Sequence, residues 1–162
     1  MSFEDIENHW AKESIDMLVR LNVIKGYADG SFKPDQSITR AEFASMLVRV
    51  FNLSVTVAVQ LQFSDADRRG AKNDIEILIR REIVKGYTDL TIRPNETISR
   101  EEIAVLLVRM INLTQLSVTD GTFNGYADQT IMTKGDATRA ETAAILLKLL
   151  MLDPRIKQVL EQ

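Results

Sequence analysis

At 162 residues, with 45% apolar and 27% charged positions, the chain is long enough to bury one core without covalent staples. Having no cysteine, it can form neither a disulfide nor a thiolate metal or redox site, and cysteine usage leaves the compartment open. A net charge of −3 argues against a broad basic face for nucleic acid, and no stretch reaches the roughly 18 apolar residues of a membrane span, so an anionic ligand would have to be met by local groups.

The first residues, Met1-Ser2-Phe3-Glu4-Asp5, carry acid where a secretory signal carries positive charge and an apolar run. Either an intracellular protein or, the reading we favour, a mature segment of a longer exported chain fits this start. His9-Trp10 follows, the only His and the only Trp. A lone His makes no metal site, and Trp10 reads either as a packing anchor or as an exposed face on which a sugar can stack. Ile15, Leu18, Val19 and Val23 then fall at the i, i+3, i+4, i+8 spacing of an amphipathic helix.

Gly26-Tyr27-Ala28-Asp29-Gly30 reads as a turn, with Gly supplying positive φ and Asp a local turn former. Lys25 precedes it. Asp29 lacks the closely spaced oxygen ligands that calcium needs. Thirteen residues after Tyr27 comes Arg40 of Thr39-Arg40-Ala41-Glu42, whose Thr-x-x-Glu spacing is a capping box at the start of a second helix with Phe43, Met46, Leu47, Val50 and Phe51 on one stripe. Arg40 is out of place there, because a cation in the first helical turn opposes the helix dipole. Its partner is either an intramolecular carboxylate or an anionic ligand docked where helix amides and Arg converge.

The pattern then repeats. Val55, Val57, Val59, Leu61 and Phe63 alternate as an extended connector, and a shift of 60 places Phe63 on Phe3, Ile75 on Ile15, Tyr87 on Tyr27, Pro94 on Pro34 and Arg100 on Arg40. Lys85 matches Lys25, while Arg69-Gly70 replaces His9-Trp10 and Leu90 replaces Gly30. A third copy matches the second at a shift of 39: Gly125-Tyr126-Ala127-Asp128, with Asn124 in place of the Lys, then Thr138-Arg139-Ala140-Glu141 and a helix through Ile145, Leu146, Leu149 and Leu150. About twenty residues, the first helix, are missing from it. The tail from Asp153 reads as a short helix with Pro154 in its first turn and Ile156, Val159 and Leu160 on one side.

These spans give repeats at 3–53, 63–113 and 123–152 with a tail at 153–162, in one all-α domain whose three second helices form a central bundle. The gap in the third repeat is expected to be covered by the tail, or by a homodimer or swapped helix. Glu and Asp sit at caps and helix surfaces, and no paired nucleophile and base exists, so we expect no enzyme, no metal and no cofactor.

Phe3-x-Asp5 with His9-Trp10-Ala11, the loop Gly26-Tyr27-Ala28-Asp29-Gly30-Ser31-Phe32-Lys33-Pro34, and Thr39-Arg40-Ala41-Glu42 together resemble the S-layer homology domain family, over Phe3 to about Leu152. The resemblance implies a pseudo-threefold unit that holds an extracellular surface protein non-covalently to a cell-wall polysaccharide, a secondary cell-wall polymer with a pyruvylated sugar bound between motifs. It assigns Arg40, Arg100 and Arg139 to the pyruvyl carboxylate, Lys25, Asp29 and Gly30 to the lining of the first groove, and Trp10 to a wall. The alternative is a protein-interaction module that uses the exposed helical groove of the incomplete third repeat.

Overall fold

The computed structural model describes residues 3–54, 63–65, 70–114 and 135–152. The expected connector at 55–61, the third Gly-Tyr turn at 125–128, Arg69 and the tail from 153 lie outside the described residues. Among the described residues a single 3₁₀ turn, Glu4–Ile6, precedes five helices: α1 (Lys12–Arg20), α2 (Arg40–Val50), α3 (Lys72–Arg80), α4 (Arg100–Thr114) and α5 (Arg139–Leu150). Among the described residues there is no strand, only isolated bridges at Ser37–Thr138, Thr39–Thr97 and Ser99–Asp136. The fold is all-α.

α2, α4 and α5 start alike because the same box caps each. The hydroxyls of Thr39, Ser99 and Thr138 accept from the amides of Glu42, Glu102 and Glu141, and each Glu accepts in return from the cap residue's own amide. Phe43 and Leu47 of α2, Leu107 and Met110 of α4, and Leu146 and Leu149 of α5 are buried in one core. α3 packs against α2 and α1 against α5, so the first helix of a repeat lies on the second helix of its neighbour.

α1 and α3 end earlier than their apolar spacing predicts. Asn22 and Glu82 adopt left-handed φ of 57° and 58°, and the amides of Val23 and Ile83 reach back to the carbonyls of Leu18 and Leu78 at 2.9 Å. Val23 and Ile83 are therefore buried as residues that pack under a helix end, rather than as its last turn.

The repeats close on themselves through backbone. Ile38 donates to Ala137, Ala137 to Ile98 and Ile98 to Ile38, each at 3.0 Å, a cycle through one equivalent residue of each repeat. Two residues further on, the first helical amides of α2, α4 and α5 (Arg40, Arg100 and Arg139) donate to the carbonyls of Glu96, Gly135 and Gln36. Ala41 and Ala140 donate to Pro94 and Pro34. The first helical amide of α2, α4 and α5 is thus satisfied in each case by the loop of another repeat.

Candidate functional site

The same cycle is drawn a second time by side chains. Arg40 pairs with Glu102, Arg100 with Glu141 at 2.8 Å and Arg139 with Glu42 at 3.3 Å, so each repeat's out-of-place Arg meets the capping-box Glu of another repeat. Of the two partners the sequence left open for Arg40, Arg100 and Arg139, an intramolecular carboxylate is present in all three cases.

Arg139 is the most enclosed, at 3% exposure. Its Nε donates to the Phe32 carbonyl at 2.9 Å and its Nη2 to the Lys25 carbonyl at 3.0 Å, while the guanidinium lies 4.6 Å from the centres of both the Tyr27 and Phe32 rings. Lys33 covers Tyr27 at 4.5 Å, and the Tyr27 hydroxyl donates to Glu42 at 3.0 Å. Tyr87 repeats the arrangement between Arg40 and Arg93, with its hydroxyl on Glu102 at 2.8 Å. Each tyrosine of a described Gly-Tyr turn is therefore held by two cations and one carboxylate.

Titration follows from this packing. Burial pushes the Tyr27 and Tyr87 hydroxyls up, with Arg139 and Arg40 opposing and the carboxylates reinforcing. At Glu102 burial would raise the carboxyl, yet the Ser99 amide, the Tyr87 hydroxyl and Arg40 together hold it below the usual range. Asp29 is held low because the Ser31 hydroxyl and amide donate to it, at 2.5 and 3.0 Å, with Lys33 beside it.

The loops that carry these turns are fixed by the start of each repeat. Asp5 accepts from the amides of Phe32 and Lys33, and Asp65 from those of Ile92 and Arg93. Phe3 packs on Phe32 at 5.6 Å and against Gly26. Gly26 is required for this approach and not for φ: a Cβ there would strike the Phe3 ring and come within 2.7 Å of the Ser31 carbonyl. Gly86 carries both demands, with φ of 67° and Phe63 in the same place.

Between the first and second repeats this scaffold leaves an open cleft of about 350 Å³, walled by Lys25, Gly26 and Tyr27, by Glu42, Ser45, Met46 and Arg49 of α2, by Gly70, Ala71 and Asn95, and by Arg139. Lys25 and Arg49 are exposed cations at its mouth. Of the seven residues the sequence singles out, the structure brings Lys25 and Arg139 to this cleft. Arg40 and Arg100 stand at the two equivalent junctions. Asp29 and Gly30 form the tip of the Tyr27 turn, outside the lining. Trp10, 66% exposed, corresponds to Gly70 and precedes α1, the helix that packs against α5 and not α2. Arg49, Ser45 and Asn95 were not singled out from the sequence. Arg49 and Arg109 share a repeat position, but a cation on a helix surface gives no signal of its own.

Among the described residues no group of three or more His, Asp or Glu could hold a metal ion, and no helix is long and apolar enough to cross a membrane. A family model described as the S-layer homology domain matches residues 2–44 and 62–104, together more than half of the chain and most of each of the first two repeats. A cellulosome-anchoring protein of Acetivibrio thermocellus is 36% identical over 68% of this chain and 26% of its own length. The S-layer protein sap of Bacillus anthracis is 32% identical over 75% of this chain and 15% of its own length. Endo-1,4-beta-xylanase A of Thermoanaerobacterium saccharolyticum is 34% identical over 63% of this chain and 9% of its own length. The chain thus spans about a quarter or less of these relatives.

Proposed function

The chain belongs to the S-layer homology domain family, and from that premise we propose that it anchors a bacterial surface protein non-covalently to an acidic cell-wall polysaccharide. The domain itself is non-enzymatic, and any catalysis resides in other parts of the protein that it holds at the cell surface. Relatives named as an anchoring protein, an S-layer protein and a xylanase support a role common to different cargoes.

The observation that carries the reading is the cleft between repeats one and two, where exposed Lys25 and Arg49 flank a polar wall of Asn95, Ser45 and the Glu42–Tyr27 pair, beside apolar Met46 and Ala71. Cations, hydroxyl-binding groups and an apolar patch in one opening suit a sugar that bears a carboxylate, such as a pyruvyl ketal. In this reading Lys25 and Arg49 meet the carboxylate, and Arg139 contributes the inner wall while holding the Lys25 carbonyl and the Tyr27 ring in position. Arg40 and Arg100 take the same part at the other two junctions, and Trp10 offers its ring to a sugar beside α5.

Co-sedimentation with purified Gram-positive walls that carry a pyruvylated polymer tests this. Lys25→Ala and Arg49→Ala, both at exposed positions, are each expected to weaken binding by about tenfold or more, since a charge-assisted hydrogen bond contributes roughly 1.5–3 kcal/mol. Walls stripped of the polymer should bind no variant. A folded chain that ignores every wall would overturn the proposal in favour of partner-protein docking, for which exposed Val105 and Val108 on α4 are the supporting observation.

A further inference from the structure

One i, i+4, i+8 stripe of α2, formed by Ala41, Ser45 and Arg49, lies along the cleft between repeats one and two. The repeat puts Glu101, Val105 and Arg109 at the same positions of α4, and Ala140, Ala144 and Lys148 at those of α5. Arg49 and Lys25 are exposed, and among the described residues neither side chain makes a hydrogen bond or an ion pair. Arg109 is instead half-buried and donates from Nη1 to the Ile83 carbonyl at 2.8 Å. Glu101 is exposed with no ion pair among the described residues, and Val105 is 44% exposed. At the third junction Asp35, whose side chain is 85% exposed, takes the place of Asn95. Trp10 there takes the place of Gly70, where a Cβ would meet nothing within 4 Å.

We propose that the acidic group of the ligand is taken at the junction of repeats one and two alone, and that the α2 stripe decides this. The inference rests on the anchoring reading above and adds which junction carries it. The three Arg–Glu pairs are common to all the junctions and cannot discriminate among them, so selection falls to the positions that differ. A carboxylate entering the first cleft meets two cations with no internal partner to give up, beside the small Ala41 and a Ser45 hydroxyl that can donate to it. Along α4 it would meet the uncompensated carboxylate of Glu101, and like charges brought together at an interface oppose binding strongly. Val105 has no group to donate, and Arg109 is already held by a backbone carbonyl. At the third junction a carboxylate at position 35 replaces an amide that can donate, which sets a like charge where the first cleft has Asn95.

The test brings the charge of the α4 stripe to α2 in the full chain. Ala41→Glu, which leaves Lys25 and Arg49 in place, is expected to weaken co-sedimentation with pyruvylated walls by about tenfold or more, whereas the equally large but neutral Ala41→Gln should bind within about twofold of the unaltered chain. α4 already carries Glu at this position, so a helix of this kind accepts it. Lys85→Ala and Lys148→Ala, at exposed positions of the other two junctions, are expected to bind as the unaltered chain does. Equilibrium dialysis against a pyruvylated monosaccharide should saturate at a single site per chain. Equal losses in the Glu and Gln variants, a loss in Lys85→Ala or Lys148→Ala as large as that in Arg49→Ala, or more than one site per chain would each overturn this inference while leaving the anchoring reading intact. An unaltered, folded chain that ignores both walls and sugar would overturn the two together.

Discussion

Leu90 occupies the left-handed region at φ 60°, where the first repeat has Gly30 at φ 82°. The two make the same turn, each donating its amide to the carbonyl of the preceding tyrosine, at 3.1 Å for Leu90 and 3.0 Å for Gly30. A Cβ at Gly30 would meet nothing within 4 Å, so the difference between the sites is one of backbone strain and not of space. For a residue with a Cβ that conformation costs roughly 1–2 kcal/mol, and Leu90 recovers little because its side chain is 55% exposed. Against this stands the greater entropy of glycine in the unfolded chain, about 0.5–1 kcal/mol. Leu90→Gly should therefore stabilise the protein by about 0.5–1 kcal/mol, read as a higher urea midpoint at unchanged slope. A midpoint that stays or falls would show that Leu90 makes contacts worth more than its strain.

At the scale of the element, the Gly-Tyr turn and the Phe-x-Asp segment behave as one piece although more than twenty residues separate them. Asp5 takes two loop amides and Phe3 fills the space that a side chain at position 26 would need. Gly26→Ala is expected to cost about 1–3 kcal/mol by overpacking, with thermal and urea denaturation as the readout. Pairing it with Phe3→Leu, which removes part of the ring, should give a total smaller than the sum of the two single losses. Strict additivity would mean that the ring is not what forbids the Cβ. This division also explains what could be read without the structure. Helix starts, apolar stripes and the repeat itself are local or periodic, and they are legible as Thr39-x-x-Glu42 or Ile15, Leu18 and Val19. Gly26 is legible as a turn glycine, but the reason for it is a ring from the start of the repeat, and no local pattern carries that. Val23 and Ile83 continue the helical spacing while the backbone turns beneath them, because spacing records which face is buried and not where the helix stops.

Three Arg residues set against helix dipoles mark an anomaly in the sequence, yet the carboxylates that answer them lie 62, 41 and 97 residues away. A charge in an unfavourable place is a local signal, whereas its neutralisation belongs to the closure of the whole molecule, as does the convergence of Lys25, Arg49 and Asn95 on one cleft. The three pairs are not equal. Arg139 ties the last repeat to the first and has a side chain only 4% exposed, against 11% for Arg40 and 23% for Arg100. Removing one partner of a buried pair costs about 3–5 kcal/mol, with much less lost at an exposed one. Glu42 is itself 30% exposed and can be partly rehydrated, which places Arg139→Ala near the lower end of that range. Arg100→Ala should then cost least, about 1–2 kcal/mol, with Arg40→Ala between them. Arg139→Lys should restore little, since an ammonium cannot reach the Phe32 and Lys25 carbonyls together with Glu42 and still stack between two rings. Because the backbone cycle through Ile38, Ala137 and Ile98 joins all three repeats, each loss should appear as an earlier single transition and not as the melting of one repeat. Urea denaturation followed by far-UV circular dichroism and by tyrosine fluorescence measures both. A different order of midpoints would show that burial does not set the strength of the pairs, and divergence of the two probes in Arg139→Ala would show that the repeats unfold separately once the ring is opened.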